Sequence, residues 1–405
     1  MPEQIASNFY VNQKVEATYN TAPGATGATR LRIIDSPGFD LEMALLKSSE
    51  RRGDMLDTMA RMGSRRAPGT FNAEMIVGAH DLTYEALWRA TFVPAVAITV
   101  DGGAALTSFT VNSTSTFTLA GTTTPIVAGF RVGDVGRFTN MSTAANNNIN
   151  IRIKSIVGGL VTVHGTPLTV QSADTAATFT IAKKLSNPTT PVERTFYIDQ
   201  YYRGSDVSAV IGGAKWVGWD LSGEPDGLNK SVFTALAASV TELASASSPY
   251  FTSETVPTGD PLVFADASIS LGGTDIVNVT AFNLKYQIVA NTQGVNGSST
   301  SPSIYANKAS LEGSLSMTMN DLAKLTAYRA ETEFELHVMF VEPESEPKDF
   351  IAIFVPRIKL TRGGLPQLGG DGAAIIQLPF TCGVKEGAAA TGYDTTLFNL
   401  LTSAA

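Results

Sequence analysis

Side chains able to do chemistry are sparse and scattered in this sequence. Three histidines, His80, His164 and His337, and one cysteine, Cys382, are all that 405 residues offer toward a zinc or haem site. Such a site needs three or four converging ligands. The histidines stand in three unrelated sequence contexts, and none is paired with a nucleophile at a motif spacing. A lone cysteine cannot close a disulfide within the chain. No P-loop, zincin, nucleophile-elbow or paired-cysteine motif is present. Gly370-Asp371-Gly372 reads as a turn, and Arg52-Gly53-Asp54 and Asn278-Val279-Thr280 are motifs short enough to arise by chance. No catalytic, cofactor-binding or metal-binding residue is assigned, and no cofactor is expected.

Carboxylates come closest to a chemical signal. Glycoside hydrolysis needs two of them flanking one bond, yet residues 101–189 hold only Asp101, Asp134 and Asp174. A carbohydrate-binding face would want exposed aromatics. The same stretch has Phe109, Phe117, Phe130, Phe138 and Phe179 with no Trp or Tyr, a set suited to filling a core. Two charge clusters remain. Lys47, Arg51, Arg52, Arg61, Arg65 and Arg66 outnumber Glu50, Asp54 and Asp57 by three, with Met55, Leu56, Met59 and Met62 among them. Glu331, Glu333, Glu335, Glu342, Glu344, Glu346 and Asp349 face a single Lys348, a net charge of -6. Complementary patches of this kind steer and register association between subunits. The basic set is the expected subunit contact and the acidic set its expected partner.

The elements that must carry these residues read as mainly β. Charged residues are 16 %, hydrophobic residues 43 % and the formal net charge -8. That balance allows a sizeable core and argues against disorder, a coiled coil or a general nucleic-acid binder. The N-terminus MPEQIASNFY has no signal-peptide pattern, and no run approaches the ~18 apolar residues of a membrane span. The chain is expected to fold in a cytoplasm and to be used there or carried out in a particle, without membrane contact.

Along the chain, 1–30 reads as an arm with little core, and 31–47 as strand broken at Ser36-Pro37-Gly38. Residues 48–69 read as a long loop, a length that is usually functional or disordered. Phe71, Ala73, Met75 and Val77 alternate as a strand, and Asp81 should cap a helix running from Leu82 to Phe92. Residues 101–189 change to a Thr/Asn/Gly-rich composition, with seven charges in 101–180 and a Gly158-Gly159 hairpin turn. They read as a small all-β domain inserted into a first module made of 31–100 and 190–244. A Ser/Thr/Pro linker, 245–261, leads to a second module, 262–405. The two modules read as a duplication. DLTYEALWRA from Asp81 matches DLAKLTAYRA from Asp321 at an offset of 240, and Phe39-Asp40-Leu41-Glu42 resembles Phe282-Asn283-Leu284-Lys285 at 243.

Several stretches resemble the tail tube protein, or major tail protein, of long-tailed bacteriophages. They are Lys14-Val15-Glu16-Ala17-Thr18-Tyr19-Asn20-Thr21-Ala22-Pro23, the strand–long loop–strand–helix order up to Trp88, and Gly213-Ala214-Lys215-Trp216-Val217-Gly218-Trp219-Asp220-Leu221. Asn20 stands where Gly is usual. Gly129-Phe130-Arg131-Val132-Gly133-Asp134 looks like the accessory β domains of tail proteins. The resemblance implies a mainly β fold: two tandem β-sandwich modules, each with a flanking helix, plus the small inserted domain. It implies no enzyme but a virion protein made in the host cytoplasm, whose rings share strands between neighbours and stack into a channel for DNA ejection. Two modules per chain would make the ring a homotrimer with pseudo-sixfold symmetry. The implied partners are other copies, tail terminator, tail tip or baseplate proteins, the tape measure protein and, transiently, DNA. A phage adhesin or receptor-binding β protein and a secretion-system tube ring are the alternative readings.

Overall fold

The computed structural model describes residues 8–403 other than 52, 55, 102, 104, 320–322, 363–372 and 388–391; the side chains of 36 and 37 are outside the description. The chain begins with β1 (Phe9–Val15), β2 (Thr26–Leu31), β3 (Asp35–Phe39), β4 (Glu42–Leu46) and β5 (Arg61–Glu74), then helix α1 (Asp81–Trp88). Next come β6 (Val96–Thr99), β7 (Ser108–Ser113), β8 (Thr116–Ala120), the short helix α2 (Pro125–Ala128), β9 (Val135–Thr139), β10 (Ile151–Val157), β11 (Leu160–Val163), β12 (Gln171–Asp174) and β13 (Thr178–Ile181). These eight strands form their own sheet in the order β12-β7-β8-β11-β10-β9-β13-β6.

The chain returns with β14 (Lys183–Ser186), β15 (Phe196–Tyr202), β16 (Val207–Gly223), β17 (Lys230–Ala237), β18 (Ser239–Leu243) and β19 (Ser253–Thr255). It continues through β20 (Ser268–Leu271), β21 (Thr274–Ile276), β22 (Val279–Thr292), β23 (Ile304–Thr318), helix α3 (Ala323–Arg329), β24 (Glu333–Val341), β25 (Phe350–Leu360), β26 (Ile375–Cys382) and β27 (Asn399–Thr402).

Two series of pairings build the large sheet. β2 pairs with β1, β1 with β15 and β15 with the first half of β16; the second half of β16 pairs with β17, β17 with β5, and β5 with β3 and β4. Likewise β21 pairs with β20, β20 with β24, β24 with β25, β25 with β26, β26 with β23 and β23 with β22. All of these pairings are antiparallel. The series meet where Gly218–Gly223 of β16 run antiparallel to Phe282–Gln287 of β22. A second tie runs from β14 to β27 and on to β25.

Alternation explains the strands. In β17, Ser231, Phe233, Ala235 and Ala237 are buried while Val232, Thr234 and Leu236 face partly outward, the period-2 pattern of a half-covered sheet. α1 places Tyr84, Leu87 and Trp88 on one buried face against β16 and ends at Arg89, which takes the left-handed conformation at φ 53°. These side chains enter one apolar core with Phe71, Trp216, Trp219, Tyr286 and Phe398. The small sheet has a separate core in which Phe109, Phe117, Phe130, Phe138 and Phe179 are all buried and in ring contact. These phenylalanines present no aromatic face to solvent.

Several sequence-based expectations are corrected. The arm contains β1, whose Val11, Asn12 and Gln13 are buried; Gln13 accepts from Trp216 Nε1 (3.1 Å) and donates to Thr83 Oγ1 (2.9 Å). Polar side chains with buried partners hide a central strand from a hydropathy reading. Residues 61–69 of the expected loop 48–69 are strand, paired with β4, β3 and β17. Ser36-Pro37-Gly38 lies inside β3, and the strand breaks fall at 32–34 and 40–41 instead. Asp81 is the first helical residue and ion-pairs with Lys183 (2.8 Å); the cap position is His80, and α1 stops at Trp88. The small sheet starts at Val96, while 183–186 belong to the large one.

Within the linker 245–261, β19 runs parallel to β2, and the Tyr250 and Phe251 N–H groups donate to the Asp199 carboxylate. The helix-ending left-handed residues are Arg89 and Glu331, 242 apart. Phe39 lies opposite Gly69 and Leu284 opposite Gly313. Asp321, Leu322 and Gly370-Asp371-Gly372 fall outside the described residues.

Candidate assembly edges and polar sheet face

Facing strands put opposite residues on one face. On the face turned away from α1, one row crosses the sheet as Asn72, Val232, Asp220, Lys285, Glu312 and Thr381. The next runs Glu74, Lys230, Ser222, Asn283, Ser314 and Pro379. A third holds Thr70, Thr234, Gly218, Gln287 and Ser310. The face is polar, with acids and bases alternating along a row. Burial raises the Asp220 carboxyl, Lys285 pulls it back and Glu312 raises it. No sequence period marked this face, because Ser, Thr and Asn alternate with core residues at the same positions that any half-solvated sheet would show.

Two hairpins extend side by side from this sheet. Arg65 N–H donates to Ser299 O (2.8 Å), joining the β4–β5 hairpin to the β22–β23 turn. Leu45, Leu46, Leu56, Met59 and Met62 are all more than half exposed, Met59 at 93 %. The basic set splits: Arg66 binds Glu42 (2.6 Å), whereas Lys47, Arg51, Arg61 and Arg65 make no ion pair among the described residues. Arg52 and Met55 lie outside the described residues.

The acidic set does not form one patch. It divides between the two ends of β24, about 30 Å apart at ~3.3 Å per residue. At one end Glu331 and Glu333 bind Lys359, Glu333 also binds Arg357 (2.7 Å), and Glu335 is held above the usual carboxylate range by burial while accepting from the Tyr393 hydroxyl (2.9 Å). At the other, Asp349 lies 4.0 Å from Arg137, Glu342 is raised by partial burial and by Asp349, and Glu344 and Glu346 are exposed.

A cluster that sequence reading missed lies at the seam between the small sheet and the large one. His164 and His337, far apart in sequence, bring their rings to 5.6 Å; Asp275 sits 3.5 Å from His164 and 3.0 Å from Arg152. Lys184 reaches Asp134 (2.8 Å) and Asp394 (2.7 Å). Gly133, at φ 87°, presses on the Phe354 ring where a Cβ would collide. Only the fold could join these positions. Among the described residues no group of three or more His, Cys, Asp or Glu is arranged to hold a metal. Asp174 is tied into bonds with Ser142 and Gln171.

What fold and surfaces define is a β-rich structural protein whose exposed edges and hairpins are its prominent features. The family model for phage tail tube proteins matches residues 10–382, and the chain belongs to that family. No curated protein matches the chain. It is thus a structural component of the virion tail, and self-assembly is its business.

Proposed function

We propose that three copies of this chain close into a ring, that rings stack into the tail tube, and that DNA leaves through the lumen. The observation that carries this is the β16–β22 pairing, which joins two alike series of strands into one continuous sheet with a single polar face. The likeness goes beyond order. Each series has a bulge with one residue opposite two at the same joint, between Phe196–Ala214 and Ile198–Ile211 and between Phe334–Ile358 and Leu336–Val355. Each has a glycine, Gly69 or Gly313, where a Cβ would strike a neighbour at 2.5 Å. Two tube modules per chain then make a pseudo-sixfold ring from three chains.

The polar face lines the lumen in this reading. Glu74, Asp220 and Glu312 against Lys230 and Lys285 leave it with a small negative excess. Phosphates then meet few counter-charges, and electrostatic adhesion of DNA stays weak. The hairpin bases Lys47, Arg51 and Arg61 steer stacking toward the exposed Glu344 and Glu346 of another copy, since Glu331, Glu333 and Glu335 are engaged within the chain. The terminator, tail-tip and tape measure proteins meet the same ring faces. The small sheet, 96–181, is an accessory domain projecting outward.

Negative-stain microscopy and native mass spectrometry of the purified chain test the proposal. Six-lobed rings or tubes with three chains per ring are expected. Six chains per ring would overturn the module count, and monomers alone at high concentration would overturn ring assembly.

A further inference from the structure

The β22–β23 turn carries the one Asn-Gly pair in the sequence, Asn296-Gly297. β22 ends at Thr292 and β23 begins at Ile304, and residues 293–299 between them are all exposed. Asn296 and Gly297 are the middle residues of a tight turn, closed from Ser298 N–H to Val295 O by a long bond of 3.5 Å. Gly297 takes φ 83°, and a Cβ placed on it would meet nothing within 4 Å. Among the described residues neither the Asn296 carboxamide nor the Gly297 N–H makes a hydrogen bond.

These are the conditions under which an asparagine reacts with its own backbone. The nitrogen of the following residue reaches the side-chain carbonyl carbon through a five-membered ring, and a side chain on that residue hinders the approach. Glycine has none and turns through more of φ/ψ space. No packing and no hydrogen bond of the Asn296 carboxamide opposes the rotation.

We propose that Asn296 is a deamidation site and that the charge it gains lowers the ability of free subunits to stack. Gly297 N loses its proton to hydroxide and bonds to Cγ of Asn296. The Cγ–Nδ2 bond breaks, and Nδ2 leaves as ammonia after taking a proton from water. A second water opens the cyclic imide. Attack at Cγ gives aspartate; attack at the main-chain carbonyl gives isoaspartate, whose backbone is one methylene longer. The sum is one water consumed and one ammonia released, with no oxidant or reductant, and a carboxylate replaces a neutral amide.

The new charge falls beside the basic hairpin. A Cβ on Gly294 would lie 3.7 Å from Ser64 Cβ, Arg65 N–H donates to Ser299 O, and Arg65 bridges to Thr300. A carboxylate at this tip cancels part of the field of Lys47, Arg51, Arg61 and Arg65, the set that makes no ion pair among the described residues. That consequence rests on the stacking reading above, whereas the chemistry does not. Stacking would cover the turn and hold it, so the reaction belongs to subunits that wait unassembled.

Trypsin cuts after Lys285 and Lys308, and the peptide 286–308 holds two further exposed asparagines, Asn291 before Thr292 and Asn307 before Lys308. They are internal controls. After incubation of the purified chain at pH 8, mass spectrometry should find the gain of about 1 Da at Asn296 at least tenfold faster than at either control, with isoaspartate among the products. Asn296→Gln should remove it. Equal rates at the three asparagines, or an unmodified Asn296, would overturn the site. Polymerisation is followed separately by light scattering at low salt. Asn296→Asp should slow it at least threefold, with Asn296→Gln at the wild-type rate. Asn296→Asp at the wild-type rate, or equal slowing by both variants, would overturn the charge effect and leave the chemistry standing. A wild-type chain that forms no rings would overturn the stacking reading and leave the peptide result as it is.

Discussion

Among the described residues Lys184 is the one base that ion-pairs with the buried Asp134 carboxylate, and it also holds Asp394. Burial pushes the Asp134 carboxyl up, and Lys184 counters this; Lys184 in turn is raised by the two acids despite its own desolvation. Removing one partner of such a pair leaves a charge in low dielectric, so Lys184→Met should cost about 3–5 kcal/mol. Urea unfolding measures it, and adding Asp134→Asn should recover part of the loss. His80 gives a pH signature. Burial between Tyr84 and Phe233 lowers it from 6.5 to about 4 in the folded chain. Between those values the unfolded chain binds the extra proton, so stability is full above pH 6.5 and falls as pH drops toward 4. The slope is at most about 1.4 kcal/mol per pH unit. His80→Leu should shrink the difference between urea midpoints at pH 7 and pH 5; an unchanged difference would assign the acid sensitivity to His164 and His337.

The β4–β5 hairpin shows how an element can lie beyond a hydropathy reading. Residues 61–66 are exposed or half exposed on both faces, so no alternation records the strand; pairing with β4 makes it. The β22–β23 turn adds one backbone hydrogen bond to it, from Arg65 N–H to Ser299 O. By contrast α1 was legible from Tyr84, Leu87 and Trp88 at i, i+3 and i+4, and the β17 strand from its alternation. β1 was not, since Asn12 and Gln13 are buried polar residues, and the His164–His337 seam was not, since nothing local joins positions so distant. Exposed Leu45, Met59 and Met62 carry little folding energy where they stand. Changing all three to Ser should shift unfolding by less than about 1.5 kcal/mol in sum. The same change should raise the concentration needed for polymerisation at least tenfold, read by light scattering. Polymerisation at the wild-type concentration would remove the hairpin's apolar side chains from the stacking contact.

At the scale of the molecule, the small sheet enters and leaves through adjacent strands, Val96 opposite Ile181, with Val93 bridged to Lys184 just below. Its Phe-rich core takes in Phe354 and packs against Tyr393 from outside the small sheet, and Val135 packs with Met339, Phe350 and Leu401 of the large one. A Gly/Ser linker replacing 96–181 should therefore leave a folded, tube-forming chain that melts at lower temperature because Phe354 and the Asp134, Arg152 and His164 contacts are lost. Calorimetry and microscopy check the two halves of that statement, and loss of tubes would place the small sheet in the wall. The β16–β22 pairing has a kinetic corollary. A tether fixes the local concentration of one half around the other, in the millimolar range for short links, however dilute the protein. On the proposed ring every second joint is closed before any two molecules meet. Nucleation then becomes a low-order encounter, and dilution that would dissolve a ring of unlinked halves leaves half its seams sealed.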